Sequence, residues 1–173
     1  MSSIVLRRFA AITALTLLLA SAGTATAAGA HKGASVVAQL YKDFAWMAIT
    51  GQPDLFGADL AHQHRAILQR YFDPVLASLL VQDATCQVKF QGICNLDFDP
   101  LFASQDPSVI DLEVHALGPG KISVEFKNPV SQKLTTLEFK GATVSAGKWR
   151  ITDIIYRSMG DASLKQILQR KIP

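Results

Sequence analysis

The sequence predicts an α+β fold: N-terminal helices packed on a curved antiparallel sheet, followed by a short C-terminal helix. Three observations predict it. Apolar residues recur at helical spacing through residues 33–80. They alternate with polar residues, at period two, from 110 to 156. No repeat, low-complexity tract or second domain interrupts this order.

Residues 1–27 read as an export leader. Arg7 and Arg8 make a positive n-region, residues 10–20 make an apolar run, and Ala25-Thr26-Ala27 fits the small-x-small cleavage rule. The run is too short to span a bilayer, which takes about 20 apolar residues. Phe9 and Ala10 follow the arginines without the fuller twin-arginine pattern, so an ordinary secretory leader is expected. No cysteine lies near the cleavage point to carry a lipid. The expected product is a soluble periplasmic chain, residues 28–173, forming one domain with no membrane span.

Residues 33–50 are predicted helical, with Val37, Leu40, Phe44 and Met47 on one stripe and Gly51-Gln52-Pro53 as the stop. Asp54 and Gly57 mark a turn. A second helix is expected over 59–72, burying Leu60, Ile67, Leu68 and Tyr71. Asp73-Pro74 reads as an N-cap and first helical position, opening a third, shorter helix through Leu79 and Leu80. After Asp83 the period changes. Residues 86–90 are predicted to form a short strand, and residues 91–109, with two prolines and many turn formers, to be irregular.

Four antiparallel strands follow as a meander. Ile110, Leu112, Val114 and Ala116 mark the first, and Gly118-Pro119-Gly120 turns the chain. Ile122, Val124 and Phe126 mark the second, which ends at Asn128-Pro129. Leu137 and Phe139 mark the third, and Ser145-Ala146-Gly147 leads into Trp149, Ile151, Ile154 and Tyr156 of the fourth. Ile154 is one step out of phase with Trp149 and Ile151, so a bulge is expected at Thr152-Asp153. Residues 162–171 are predicted to form the last helix, with Asp161 as its N-cap.

Without Arg7 and Arg8, the 17 basic residues become 15 against 14 acids, a net charge of +1 where the whole chain carries +3. A balance so near neutral sets up no field for nucleic acid, and that partner class is excluded. Cys86 and Cys94 are the only cysteines, and an even count at close spacing in an exported chain reads as one disulfide. Closing a loop of this size is worth about 2.6 kcal/mol in the chain-entropy account.

The phrase Gly147-Lys148-Trp149-Arg150-Ile151-Thr152-Asp153-Ile154-Ile155-Tyr156, after N-terminal helices, resembles the nuclear-transport-factor-2-like (cystatin-like) superfamily. More narrowly, Asp97-Phe98-Asp99-Pro100-Leu101-Phe102-Ala103-Ser104-Gln105-Asp106 and the Trp-x-Ile-x-Asp-Ile strand resemble a family of exported bacterial proteins of unknown function, over residues 35–170. The resemblance implies a sheet wrapped around the helices to leave a cone-shaped cavity. Superfamily members include isomerases, dehydratases and non-catalytic binding or dimerisation modules, so the fold does not choose among them. The narrower family brings no agreed catalytic residues. Some of its members are lipoproteins, whereas this chain lacks the anchoring cysteine.

The densest polar cluster is Asn95, Asp97, Asp99, Gln105 and Asp106. Its oxygen side chains fall at calcium-loop spacing, but Pro100 stands where that loop needs glycine, and Asp106 is shorter than the usual bidentate Glu. Asx turns, a helix cap and a surface recognition loop are the alternatives. Asp97, Asp99, Gln105 and Asp106 are the candidate binding residues. His62 and His64, two apart on a predicted helix, point to different faces and do not share a metal. His115 lies on the strand face opposite the apolar set and becomes a candidate base if that face lines the cavity. Asp153, at the expected bulge, either lines a pocket, pairs with Arg150 or satisfies bulge amides. No nucleophile elbow, phosphate loop or zinc-protease motif is present, so no catalytic residue, metal or cofactor is assigned. The expectation is a non-enzymatic periplasmic interaction protein, of immunity type or an accessory of an envelope complex, with a protein partner and a homodimer contact through the sheet face. The alternative is a small-molecule-binding or isomerase- or hydrolase-like domain using the cone cavity.

Overall fold

The computed structural model describes residues 21–49 and 57–171. The expected leader through residue 20, the expected helix stop at 51–53 and the expected turn residue Asp54 lie outside the described residues. Helix α1 spans Ser21–Phe44 and passes into a 3-10 turn over Ala45–Ala48. It therefore starts earlier than the predicted residue 33 and runs through the expected cleavage point. A cut after Ala27 leaves the packed part intact, because contact with the sheet is already established at Gly29, against Pro119, and at Gly33, against Trp149 and Ile122.

The predicted second helix is broken. Leu60–His62 is a 3-10 turn capped by Asp59, and α2 is only Arg65–Leu68, with Gln63 and His64 extended between them. Leu60, Leu68 and Tyr71 are nevertheless buried, so the apolar spacing marked the inward positions without one continuous helix. Helix α3, Pro74–Phe90, opens where predicted: the Asp73 carboxylate accepts from Leu76 N at 2.7 Å. It is much longer than expected. Residues 86–90 are its last turns and not a strand. Its buried residues are Leu76, Ala77, Leu80, Asp83 and Cys86, one stripe at helical spacing.

Five antiparallel strands follow in sequence order: β1 Ile110–Gly118, β2 Lys121–Lys127, β3 Leu134–Thr143, β4 Trp149–Tyr156 and the two-residue β5 Ala162–Ser163. The bulge falls at Thr152, since Lys140 pairs with Asp153 while Gly141 pairs with Ile151. Ile151 then uses its outer edge elsewhere: its N–H donates to Tyr71 O at 2.9 Å and its carbonyl accepts from Asp73 N at 2.9 Å. That bridge and β5 together cover the outer edge of β4. Helix α4, Leu164–Leu168, is shorter than predicted, and its N-cap is Ser163, whose hydroxyl accepts from Gln166 N. Asp161 sits three residues before the helix with φ 62; it pairs with Arg157 at 2.8 Å.

The inner sheet face carries Ile122, Val124, Phe126, Leu137, Phe139, Ile154 and Tyr156 into the core against α1, α3 and the 96–102 segment. Tyr41, Phe102, Phe126 and Phe139 meet edge to face there. Cys86 and Cys94 form the predicted disulfide, closing the end of α3 onto the loop that follows it. No helix among the described residues is long and apolar enough to cross a membrane.

Candidate functional site

The loop after α3 is irregular, as its composition indicates, yet it is held at many points. Beyond the disulfide, the buried Asp83 carboxylate accepts Asn95 N at 2.8 Å and Gln87 Nε2 at 2.8 Å. Gln87 also donates to Leu96 O at 3.1 Å. Farther on, Leu96, Leu101 and Phe102 are buried. Two buried phenols grip the backbone from beneath: Tyr41 donates to Leu101 O at 2.6 Å and Tyr156 to Pro100 O at 3.1 Å. Burial, reinforced by Asp99 and in the case of Tyr156 also by neighbouring titratable groups, raises both phenols well above their ordinary range, so they act as fixed donors.

This anchoring presents Asp99 at the wall of a cleft of about 370 Å³. The cleft lies between the 3-10 turn at 60–62, the end of α3 and residues 93–105. Asp59, His62, Asp97, Asp99 and Gln105 supply its polar groups, while Met47, Ile93 and Phe98 are among its apolar ones. Asp99 makes an Asx turn, its carboxylate accepting Leu101 N at 2.7 Å, and Asp99 N donates to Ser104 O at 2.9 Å. Burial, and secondarily the charge of Asp59, lift its carboxyl from 3.8 to about 6, against the opposing pull of backbone N–H groups. Asp59 is engaged by His62, whose N–H donates at 3.0 Å and whose Nδ1 lies 2.9 Å away. Asp97 is exposed at the rim, with no hydrogen bond or ion pair among the described residues.

Three of the four candidate binding residues, Asp97, Asp99 and Gln105, thus meet in one cleft. Asp106 does not: it is exposed beside a smaller hollow of about 190 Å³ shared with Ser104, Ser108 and Lys133. The calcium-spaced positions do not converge either, because the Asn95 amide donates toward the Leu168 and Arg170 carbonyls at the other side of the loop. Among the described residues no group of three or more His, Cys, Asp or Glu could hold a metal ion.

His115 and Asp153 lie elsewhere. His115 is about half exposed on the outer sheet face and pairs with Glu113 at 2.9 Å. Asp153 is consumed by structure: its carboxylate accepts Ile154 N, Ser163 Oγ at 2.7 Å and Lys165 N at 3.0 Å, tying β4 to the start of α4. It does not pair with Arg150, which donates to the Gln69 and Trp149 carbonyls. The outer face itself is strongly polar, with Glu138 bound by Arg157 at 2.6 Å and Lys121 at 3.7 Å.

Asp59 and His62 were not singled out as site residues in the sequence. Their i, i+3 spacing marks a local pair, but nothing local reports that residues about forty positions later lie alongside. Three large apolar side chains at the end of α3 were also missed: Val88, Phe90 and Ile93 are 76, 61 and 71% exposed. Val88 and Phe90, two apart on the helix, point to different faces, and of the three Ile93 lines the cleft. Comparison with protein families, with curated proteins and with solved structures returns no match.

The raised Asp99 carboxyl gives a signed pH effect. The native state holds this proton more tightly than the unfolded chain, so the contribution is fully present below about pH 4 and is lost as pH rises toward 6. Allowing for partial exposure at the cleft, the loss amounts to roughly 2 kcal/mol. Asp99→Asn keeps the acceptor for Leu101 N and removes the charge. In thermal melts its Tm is expected to match the parent at pH 4 and exceed it by pH 7. A difference that does not change between those pH values contradicts this assignment.

Proposed function

We propose that this chain is a non-enzymatic binding protein of the cell envelope, of immunity type or an accessory of an envelope complex, and that it recognises a protein partner through the cleft and loop at residues 91–106. The observation that carries this reading is the pairing of a fixed acidic cleft with exposed apolar side chains at the same end of the molecule. Asp59, Asp97 and Asp99 suit a basic or hydrogen-bond-donating group, and Phe90 and Ile93 offer apolar area that the fold does not use. A disulfide and the Asp83 contacts hold this end in one shape, which lowers the ordering cost of binding. Kinship with the exported nuclear-transport-factor-2-like family belongs to this proposal and is carried by the phrases at 97–106 and 147–156. Periplasmic residence belongs to it too, supported by the leader and the disulfide.

The alternative, a cavity enzyme or small-molecule binder, drew on His115 and Asp153; the first faces outward beside Glu113 and the second caps α4. The test is a crosslinked pull-down from periplasm with the exported protein as bait. One protein recovered near stoichiometrically, and lost with Asp97→Asn/Asp99→Asn at unchanged folding, is the expected result. Loss of recovery of about tenfold or more corresponds to two charged contacts of ordinary strength. A blank lane, or recovery indifferent to both substitutions, refutes the reading.

A further inference from the structure

The two edges of the sheet are treated differently. The β4 side is closed by β5, by the Phe72–Ile151 bridge and by Arg150 on Gln69 O. The β1 side has no backbone partner among the described residues, although β1 is nine residues long. Alongside it runs a mainly apolar groove of about 480 Å³, walled by Ala38, Ala45 and Ile49 from the helical side and by Ile110, Leu112 and Val114 from β1. Ile49 is 81% exposed there. Helix and sheet packing is therefore one strand short at this edge, and an added strand would hydrogen-bond to β1 while its inward side chains fill the groove.

The sequence of β1 selects the occupant. Glu113 and His115 flank Val114 and share the outer face, while Leu112, Val114 and Ala116 share the inner one. Antiparallel pairing of two β1 strands about Val114 sets Glu113 opposite His115 of the second copy, and His115 opposite the second Glu113. The same register sets Leu112 opposite Ala116, and apolar faces apolar over the groove. Pairing about Glu113 or about His115 instead opposes like with like, which is unfavourable. The strand is thus complementary to itself in one register, as a two-fold interface requires. Asp111, with φ 53, bulges the strand at its start, a second shift falls between Ala116 and Gly118, and the regular ladder is thus limited to the residues between them, centred on Val114.

We infer that the chain forms a two-fold homodimer by β1-to-β1 edge pairing, centred on Val114, which seats the inner face of each β1 against the other copy's groove. This contact uses the sheet edge and leaves the polar outer face and the 91–106 cleft free.

Sedimentation equilibrium over a micromolar-to-millimolar series tests it, on the parent, His115→Glu, and His115→Glu/Glu113→Lys. The parent is expected to show a monomer–dimer equilibrium. His115→Glu opposes carboxylates at both symmetric positions and is expected to raise the dissociation constant by about tenfold. The double variant sets opposite charges against each other at both positions and is expected to recover parental association. Circular dichroism on all three confirms equal folding; should His115→Glu fail to fold, Glu113→Lys alone, which removes the carboxylate facing His115 of the second copy, takes its place with the same expected weakening. A chain monomeric throughout, as expected if the groove serves a foreign strand, overturns the inference. So does a dimer that neither variant shifts.

Discussion

Gly141→Ala is expected to lower the unfolding free energy by about 3 kcal/mol, at the upper end for overpacking a core. A Cβ at this position on β3 would lie 2.1, 2.3 and 2.6 Å from atoms of the Trp149 ring. That indole has nowhere to go. It is 2% exposed, its Nε1 donates to Pro119 O at 3.1 Å, and a Cβ on Gly33 of α1 would already stand 3.0 Å from its other side. The two glycines form a slot from sheet and helix, and the indole fills it. Urea unfolding followed by tryptophan fluorescence reads the effect as a fall in midpoint at unchanged slope. A change below about 1 kcal/mol would show that the ring can shift, contrary to this packing.

Asp83→Ala is expected to cost a similar amount, about 3 kcal/mol, by leaving Asn95 N–H and one of the two Gln87 Nε2 hydrogens without an acceptor, the other still reaching Leu96 O. Asp83 is 3% exposed on the buried stripe of α3, and it receives Asn95 N from the loop and Gln87 Nε2 from the next turn of its own helix. Asp83→Asn keeps one acceptor and is expected to lose about 1 kcal/mol. Because the disulfide still fastens Cys94, the alanine variant should remain folded at room temperature with its loop loosened. Hydrogen exchange at residues 95–99 is expected to accelerate more than exchange in the sheet. Equal acceleration everywhere would mean that Asp83 supports the core generally and not the loop.

What the sequence made legible follows from how local each signal is. Strand alternation over 110–156 survives because each strand buries one face, so period two is written directly into the residues. Even the bulge at Thr152 was readable, as a phase slip between Ile151 and Ile154. Asp73-Pro74 was readable because a cap is made within three residues. The end of α3 was not. Cys86-Gln87-Val88-Lys89-Phe90 alternates like a strand, yet only Cys86 faces the core, while Val88 and Phe90 project outward. Exposed apolar residues on a helix mislead any reading that equates apolar with buried. The N-cap of α4 was misplaced for a comparable reason: Asp161 and Ser163 are both good caps, and the β5 pairing that selects Ser163 is a tertiary contact. In the site, Asp97, Asp99 and Gln105 were found as a dense local cluster. Asp59 and His62 join them only through the fold.

The central claim is that residues 91–106 and their cleft are a recognition surface. Site-specific photocrosslinking in intact cells tests it most directly, with a photoreactive residue placed at Asp97 on the rim and, as a comparison, at Gln132 in the exposed turn between β2 and β3. The expected result is one discrete crosslinked band from position 97 and none from position 132. No band from position 97, or the same band from both, would contradict the account.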